Sequence, residues 1–239
     1  MLLKKWEDLP DEFKCAQVKK YYDILKRKPI SLVFKRIFDI VLSLILLVIL
    51  SPVFVVLAVA IKLDSKGPVF YRQVRITTYG KPFRIFKFRT MVQNADKIGT
   101  QVTGGNDSRV TKVGKAIRKY RLDEISQLID VLRGKMTFVG VRPEVPKYVK
   151  TYTPEMMATL LLPAGITSKA SIFYKDEGKL LDSAEDIDKT YIETILPDKM
   201  YYNLKSLEEF SFFEDIKVMF MTLFAVFGKE YTAKRKNEG

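Results

Sequence analysis

Histidine is absent from this 239-residue sequence, and cysteine occurs once, at Cys15. The first absence removes every mechanism built on an imidazole base, and with it serine and cysteine triads and the common zinc and haem sites. The second removes an intramolecular disulfide framework and four-cysteine zinc sites, and it makes a reducing, cytosol-facing setting the expectation. Chemistry in this chain falls to carboxylates, lysine, arginine and hydroxyls. Acidic residues are themselves scarce: 28 Asp and Glu stand against 41 Lys and Arg, a formal charge of +13. Nucleic acid is the usual partner of so basic a chain, yet no standard binding motif is present and no nucleic acid is expected. The N-terminus, MLLKKWEDLPDE, carries charge where the apolar region of a cleavable signal peptide would lie.

What is present begins with a 47% hydrophobic and 12% aromatic composition, ample for one medium domain with attachments. Between Asp39 and Lys62 runs a 22-residue stretch, Ile40 to Ile61, without a charge. One helix of that length would reach about 33 Å, enough to cross a hydrocarbon core of ~30 Å. Pro52, behind Ser51, stands near its middle and would kink or break the helix into halves of ~16 Å. Basic residues flank both ends, with Lys26, Arg27, Lys28, Lys35 and Arg36 before and Lys62, Lys66, Arg72 and Arg75 after. The positive-inside bias asks both ends to stay cytoplasmic, so a re-entrant helix that turns at Ser51-Pro52 is preferred to a kinked single span. The Ser51 hydroxyl can serve a carbonyl freed at the bend.

Two further stretches read as membrane-surface elements. Residues 12–38 mix Phe13, Val18, Tyr21, Tyr22, Leu25 and Phe34 with clustered lysines, and Pro29 divides them into two helices suited to the headgroup region. Phe210 to Phe227 is rich in Phe, Met and Leu and precedes Lys234-Arg235-Lys236; an interfacial helix and an ordinary core helix with a basic tail fit it equally. Such a distribution of positive charge suits adhesion to inner-leaflet phospholipids, at about 1 kcal/mol per nearby basic residue.

Beyond the apolar stretch the pattern is that of a folded domain. Val69–Arg75 and Phe83–Met91 read as two strands of a hairpin around Thr77–Pro82. Alternation places Lys87 and Arg89 on one face, where they form either a solvated surface or a grip for a pyrophosphate. A loop, Thr103-Gly104-Gly105-Asn106-Asp107, leads into a helix expected over Val113–Leu132, with Ile117, Ile125, Leu128 and Leu132 on its buried face. Asp123 and Glu124 are neighbours on that helix and cannot face each other as a proton-sharing pair. They either decorate a basic surface or take separate duties on one diphosphate, one attacking phosphorus and one holding a cation or moving a proton. Arg118, Lys119, Arg121 and Arg133 would lower both carboxyl pKa values. Gly134–Pro146 reads as a rigid loop in which Arg142, ahead of Pro143, is held extended.

Taken in order, Lys35-Arg36-Ile37-Phe38-Asp39, the apolar stretch with Ser51-Pro52, Ser65-Lys66-Gly67-Pro68, Lys87-Phe88-Arg89-Thr90-Met91, Leu122-Asp123-Glu124 and Val139-Gly140-Val141-Arg142-Pro143 resemble the bacterial sugar transferase family, the monotopic phosphoglycosyl transferases. The resemblance runs from about residue 31 to 180. It implies transfer of sugar 1-phosphate from a UDP-sugar to polyprenyl (undecaprenyl) phosphate with release of UMP, at the cytoplasmic face of the bacterial inner membrane. It further implies Asp123 as the nucleophile of a covalent phosphosugar intermediate, Glu124 as its assistant, Mg²⁺ held by Asp123 and Glu124, and Lys87, Arg89, Arg118, Arg142 and Pro143 as substrate-binding residues. Ser126 and Val141 stand where relatives commonly have proline, and Pro163–Ile172 departs from the usual pattern. The expected fold class is α+β and mostly helical, a monotopic membrane protein with a re-entrant helix, a small β-hairpin and interfacial amphipathic helices. Its layout would be an N-terminal interfacial segment (1–38), a re-entrant helix (39–62), a catalytic domain (63–205) and a C-terminal amphipathic helix with a basic tail (206–239). This resembles a minimal form of the family with an extended N-terminal segment, without the added spans of larger relatives. Pairing of two copies stays open, and the acidic stretch Asp176–Asp188 takes no role beyond a solvated helix or loop.

Overall fold

Prolines open the two long helices. In the computed structural model, which describes residues 2–95, 107–175, 186–229 and 231, α1 (Ala16–Lys26) is followed by α2 (Pro29–Ile49) and α3 (Ser51–Asp64). Pro29 and Pro52 each sit in a first turn, where a missing N–H breaks no helical bond. The helices meet at Leu50 with a bend of 61°. The Ser51 hydroxyl donates to the Val48 carbonyl at 2.8 Å, the acceptor that an N–H at position 52 would otherwise have used, as the sequence leads one to expect. At 21 and 14 residues the helices run past the charge-free stretch, to about 31 and 21 Å, longer than the expected halves. Among the described residues no single helix is long and apolar enough to cross a membrane, and α2 and α3 pass that test only as a bent pair. Val41, Leu44, Val48, Val55, Val56 and Leu63 leave a contiguous apolar face uncovered.

The opposite side of α2 is charged and buried. Lys35 (3% exposed) donates to the Val139 carbonyl at 2.6 Å and pairs with Asp215 at 2.7 Å. Asp39 (2% exposed) accepts from the Thr137 hydroxyl at 2.8 Å and the Phe138 N–H at 3.1 Å. Arg36 donates to the carbonyls of Val131 and Leu132. Lys35 and Arg36, read from sequence as part of a basic flank, are internal fasteners between α2 and the folded domain.

The hairpin forms as expected, with β1 (Phe70–Ile76) antiparallel to β2 (Pro82–Phe88) and Phe70 opposite Phe88. Phe88 packs with Leu57 and Ile61 of α3 and with Ile117, so the hairpin leans on the second long helix. The single helix expected over Val113–Leu132 is instead three pieces: α4 (Lys112–Lys119), a 3-10 turn (Leu122–Gln127) and α5 (Leu128–Leu132). Arg121 adopts a left-handed conformation at φ 53°, which ends one helix before the next begins. A 100° period therefore does not carry across the break; Ser126, Asp130 and Val131 are buried, while Ile125 and Leu132 are partly exposed. The Thr111 side chain caps α4, and Asp64 at the end of α3 accepts from the Val113 N–H at 3.0 Å. A Cβ on Gly114 would lie 2.0 Å from the Thr90 carbonyl oxygen, so glycine is what lets α4 close on the hairpin.

Sequence reading missed a second sheet. β3 (Met136–Val139), inside the stretch taken as a rigid loop, runs parallel to β4 (Ala164–Thr167); all four β3 residues are buried and those of β4 are buried in its first half only, so neither shows alternation. Short helices α6 (Pro146–Val149), α7 (Lys169–Phe173) and α8 (Ile187–Thr190) lead through a π turn (Tyr191–Ile195) to α9 (Leu196–Glu208) and α10 (Phe212–Val226).

The interfacial segment expected over 12–38 is corrected in its first half. Phe13, Val18 and Leu25 are fully buried and Tyr21 and Tyr22 nearly so, packed with Leu161, Leu207 and Tyr79, so the apolar side of α1 faces the domain core and not a surface. Ile30 and Phe34 remain exposed, at 70% and 55%. On α10 only Val218 is buried, while Phe213, Phe220, Leu223 and Phe227 are exposed. Residues 103–106, 176–185 and Lys234-Arg235-Lys236, singled out above, lie outside the described residues.

Candidate active site

The break at Arg121 decides where the acidic pair points. Asp123 and Glu124 lie in the first part of the 3-10 turn, directly under β2. Glu124 Oε1 accepts from Arg142 Nη2 at 2.5 Å and from Lys87 Nζ at 3.3 Å, and Arg121 approaches Oε2 at 4.0 Å. The side chains of Glu124 and Lys87 are 13% and 19% exposed, so these contacts are poorly screened. Burial alone would push the Glu124 carboxyl up, but Arg142 and Lys87 outweigh it and hold the group well below the ordinary carboxylate range.

Asp123 behaves the other way. Its carboxylate makes no ion pair among the described residues; the Ser126 hydroxyl reaches only its backbone carbonyl, at 3.2 Å. Burial pushes its pKa up, Lys87 and Arg118 pull it back only in part, and the neighbouring Glu124 charge adds to the rise. The expectation that basic neighbours would depress both carboxyls therefore holds for Glu124 and fails for Asp123. Two adjacent carboxyls with pKa values pushed apart are a recurring mark of divided chemical roles.

Lys87 and Arg89 part company. Alternation stops where β2 ends at Phe88, and Arg89 turns toward α3. Its guanidinium, 5% exposed, donates to the Ser65 and Lys66 carbonyls at 2.7 Å each and to the Ser65 hydroxyl at 3.0 Å. Gly67, at φ +126°, makes room for it, since a Cβ there would lie 1.9 Å from Arg89 Nη1. Arg89 thus caps the C-terminal end of α3, and the structure does not bring it to the carboxylates. Arg118 donates to the Thr90 hydroxyl at 2.8 Å and stands close enough to Asp123 for that charge to raise its pKa against the lowering caused by burial. Pro143 is buried and offers its carbonyl to Arg75 at 3.1 Å. Arg75, read from sequence only as a flanking charge, stands beside Arg142; its alternation with Tyr71 and Gln73, opposite Lys87 and Ile85, was the available signal.

Lys87, Arg121 and Arg142 thus approach Glu124, and Arg118 stands near Asp123, which makes no ion pair among the described residues. A cluster so weighted toward positive charge suits an anion, above all a phosphate. As for a metal, no group of three or more acidic, cysteine or histidine side chains occurs among the described residues. The unpaired Asp123 and Glu124 Oε2 fit an ion that takes one or two carboxylates and draws its other ligands from substrate phosphates and water, the habit of Mg²⁺.

A bent apolar helix pair is thus fastened to a folded domain that gathers cations around two carboxylates. The chain belongs to the bacterial sugar transferase family, whose model matches residues 30–229. It is 38% identical over 204 residues to UDP-glucose:undecaprenyl-phosphate glucose-1-phosphate transferase of Klebsiella pneumoniae, covering 83% of this chain and 41% of that protein. It is 36% identical over 198 residues to UDP-N-acetylgalactosamine-undecaprenyl-phosphate N-acetylgalactosaminephosphotransferase of Aeromonas hydrophila, covering 82% of this chain and 44% of that one. To the uncharacterized sugar transferase EpsL of Bacillus subtilis it is 32% identical over 192 residues, covering 80% and 86%. The chain spans less than half the length of the first two relatives. Their names carry different sugars, so the likeness bears on reaction class and not on the sugar.

Proposed function

We propose that this protein transfers sugar 1-phosphate from a UDP-sugar to undecaprenyl phosphate and releases UMP. The observation that carries the reading is the pairing of Asp123, which has no ion-pair partner, with Glu124, which is held ionised by Arg142 and Lys87. An Asp123 carboxylate oxygen attacks the phosphorus that bears the sugar; the bond from that phosphorus to the bridging oxygen breaks, and UMP leaves with the electron pair. An oxygen of the lipid phosphate then attacks the same phosphorus, and Asp123 departs as carboxylate. Lys87, Arg118 and Arg142 neutralise the charge that builds on the phosphoryl oxygens. Asp123 and Glu124 would hold Mg²⁺, which when bound supplies positive charge to the diphosphate.

The exposed faces of α2, α3 and α10 support a membrane-seated protein. The 61° bend and the basic residues on both flanks favour a re-entrant helix over a span, so both ends lie on the cytoplasmic face of the bacterial inner membrane among its phospholipids. There a lipid phosphate can meet a soluble nucleotide sugar.

The test is UMP release from a panel of UDP-sugars with undecaprenyl phosphate and Mg²⁺, comparing wild type with Asp123→Asn. Release with one sugar, lost in the variant, is the expected result and also names the sugar. Equal release from both proteins would remove Asp123 as nucleophile, and no release from folded wild-type protein across the panel would sink the donor class.

A further inference from the structure

Arg75 is a half-buried cation fixed in place by neutral groups. Its Nε and Nη2 donate to Gln73 Oε1 at 3.1 and 2.7 Å, and Nη1 donates to the Pro143 carbonyl at 3.1 Å. Among the described residues no carboxylate forms an ion pair with it. The acidic side chain that stands near, Glu144, is already engaged: the Tyr191 hydroxyl donates to it at 2.5 Å and Lys199 lies 3.8 Å away. A guanidinium held with its charge uncompensated costs stability unless an anion completes the site.

Its position says which anion. The charges that act on Asp123 are Lys87, Glu124 and Arg118. Arg75 Nη1 is bonded instead to the carbonyl of Pro143, the residue that follows Arg142. An order follows from the contacts: Arg118 is bonded to Thr90 beyond the end of β2, Lys87 and Arg142 meet at Glu124, and Arg75 lies opposite Phe83 in the hairpin with its guanidinium on the Pro143 carbonyl. Phosphoryl transfer places attacking and leaving oxygens roughly in line on opposite sides of phosphorus. If Asp123 attacks, the departing phosphate sits at the far end, between Arg142 and Arg75.

We infer that Arg75, with Arg142, holds the phosphate of the departing nucleoside monophosphate, while Arg118 and Lys87 serve the phosphoryl group that stays with the sugar. This rests on the donor reading above. In the step concerned, the bridging oxygen leaves phosphorus with its electron pair and becomes a terminal oxygen of UMP, whose added negative charge faces the two guanidinium groups.

The test is equilibrium binding of UMP and of uridine to the full chain in detergent or bilayer discs, for wild type, Arg75→Gln, Arg75→Lys and Arg118→Gln, each shown folded by its melting curve. Arg75→Gln should weaken UMP by about 10- to 100-fold, the worth of a charge-assisted contact, and leave uridine unchanged. Arg75→Lys should fall between, because it keeps the charge and loses the fork, and it stands in should the glutamine variant fail to fold. Arg118→Gln should weaken UMP less than Arg75→Gln does. UMP affinity within twofold of wild type in both Arg75 variants overturns the inference while the donor reading stands. A parallel loss of uridine would reduce Arg75 to a structural role. Wild-type protein that binds neither UMP nor a UDP-sugar overturns the donor reading itself.

Discussion

Two clusters of charge, a rear one at β3 and a front one beside β2, are built to different rules. At the rear, Lys35 meets Asp215 and the Val139 carbonyl, Asp39 takes up the Thr137 hydroxyl and the Phe138 N–H, and Arg36 takes two carbonyls of α5. Each charged group there has its hydrogen-bond partners inside the protein, and Lys35 has an ion pair as well, so the cluster works as a rivet between the apolar helix pair and the domain. At the front, Lys87 and Arg142 hold Glu124, Arg75 and Arg118 are bonded to neutral groups, and Asp123 makes no ion pair among the described residues. A buried polar network satisfied from within rigidifies, and one left short of anions binds them. Side-chain types are nearly the same in both; the balance of partners separates structure from function.

Replacing Asp123 should break that contrast most sharply. Asp123→Asn is expected to take UMP release to background while raising the melting temperature at neutral pH. The sign follows from its raised pKa: a carboxyl that binds its proton more tightly folded than unfolded destabilises the fold once ionised, so the gain is present above the raised value and disappears below the ordinary one. Thermal unfolding of both proteins across pH would check it, and an unchanged or lower melting point at neutral pH would refute the account of burial.

The rivet should respond in the opposite sense. Lys35→Met leaves Asp215 and the Val139 carbonyl without their partner and should cost about 3–5 kcal/mol. Added pyrophosphate should not restore that loss, because the carboxylate left behind, Asp215, repels an anion. Glu124→Gln should destabilise less, since anions and water can reach the front cluster, and pyrophosphate should recover most of the loss. The depressed pKa of Glu124 gives a further signature: its contribution is complete above the ordinary glutamate value and fades as pH falls toward the folded one, so the wild-type protein should lose on acidification an advantage that Glu124→Gln never had. Rescue of both variants by pyrophosphate, or of neither, would erase the distinction between the clusters.

The smallest expected effect lies at the bend. Ser51→Ala should cost about 0.5–1.5 kcal/mol by orphaning the Val48 carbonyl, whereas Pro52→Ala should restore a backbone donor and straighten the pair. Cysteine labelling of residues 62–70 from either side of the membrane reads out the second change; labelling that stays cytoplasmic would show that the flanking charge, more than the proline, keeps the helix re-entrant.

Much of this was legible beforehand because it is local. Pro52 and Ser51 mark the bend, alternation marks the hairpin, and Asp123-Glu124 among arginines marks the site. The β3–β4 pair was not legible, since four-residue strands far apart in sequence carry no periodic signature. Nor was the break at Arg121, where a left-handed residue other than glycine leaves no trace in a hydrophobic pattern. Arg89 was misplaced by carrying strand alternation one residue beyond the strand, and α1 by a composition that suits a headgroup layer and a protein core alike.

The sequence by itself determined the chemistry available: no imidazole, two adjacent carboxyls, an excess of guanidinium groups and a charge-free stretch that must bend. Tertiary structure alone decided which cations meet which carboxylate, that Asp123 is pushed up while Glu124 is held down, and that Lys35 and Asp39 fasten the helix pair while Arg75 forms no ion pair among the described residues. The reason is physical. A residue's type is fixed by the chain, but the energy of its charge depends on burial and on distances to groups far along the sequence, and only packing sets those.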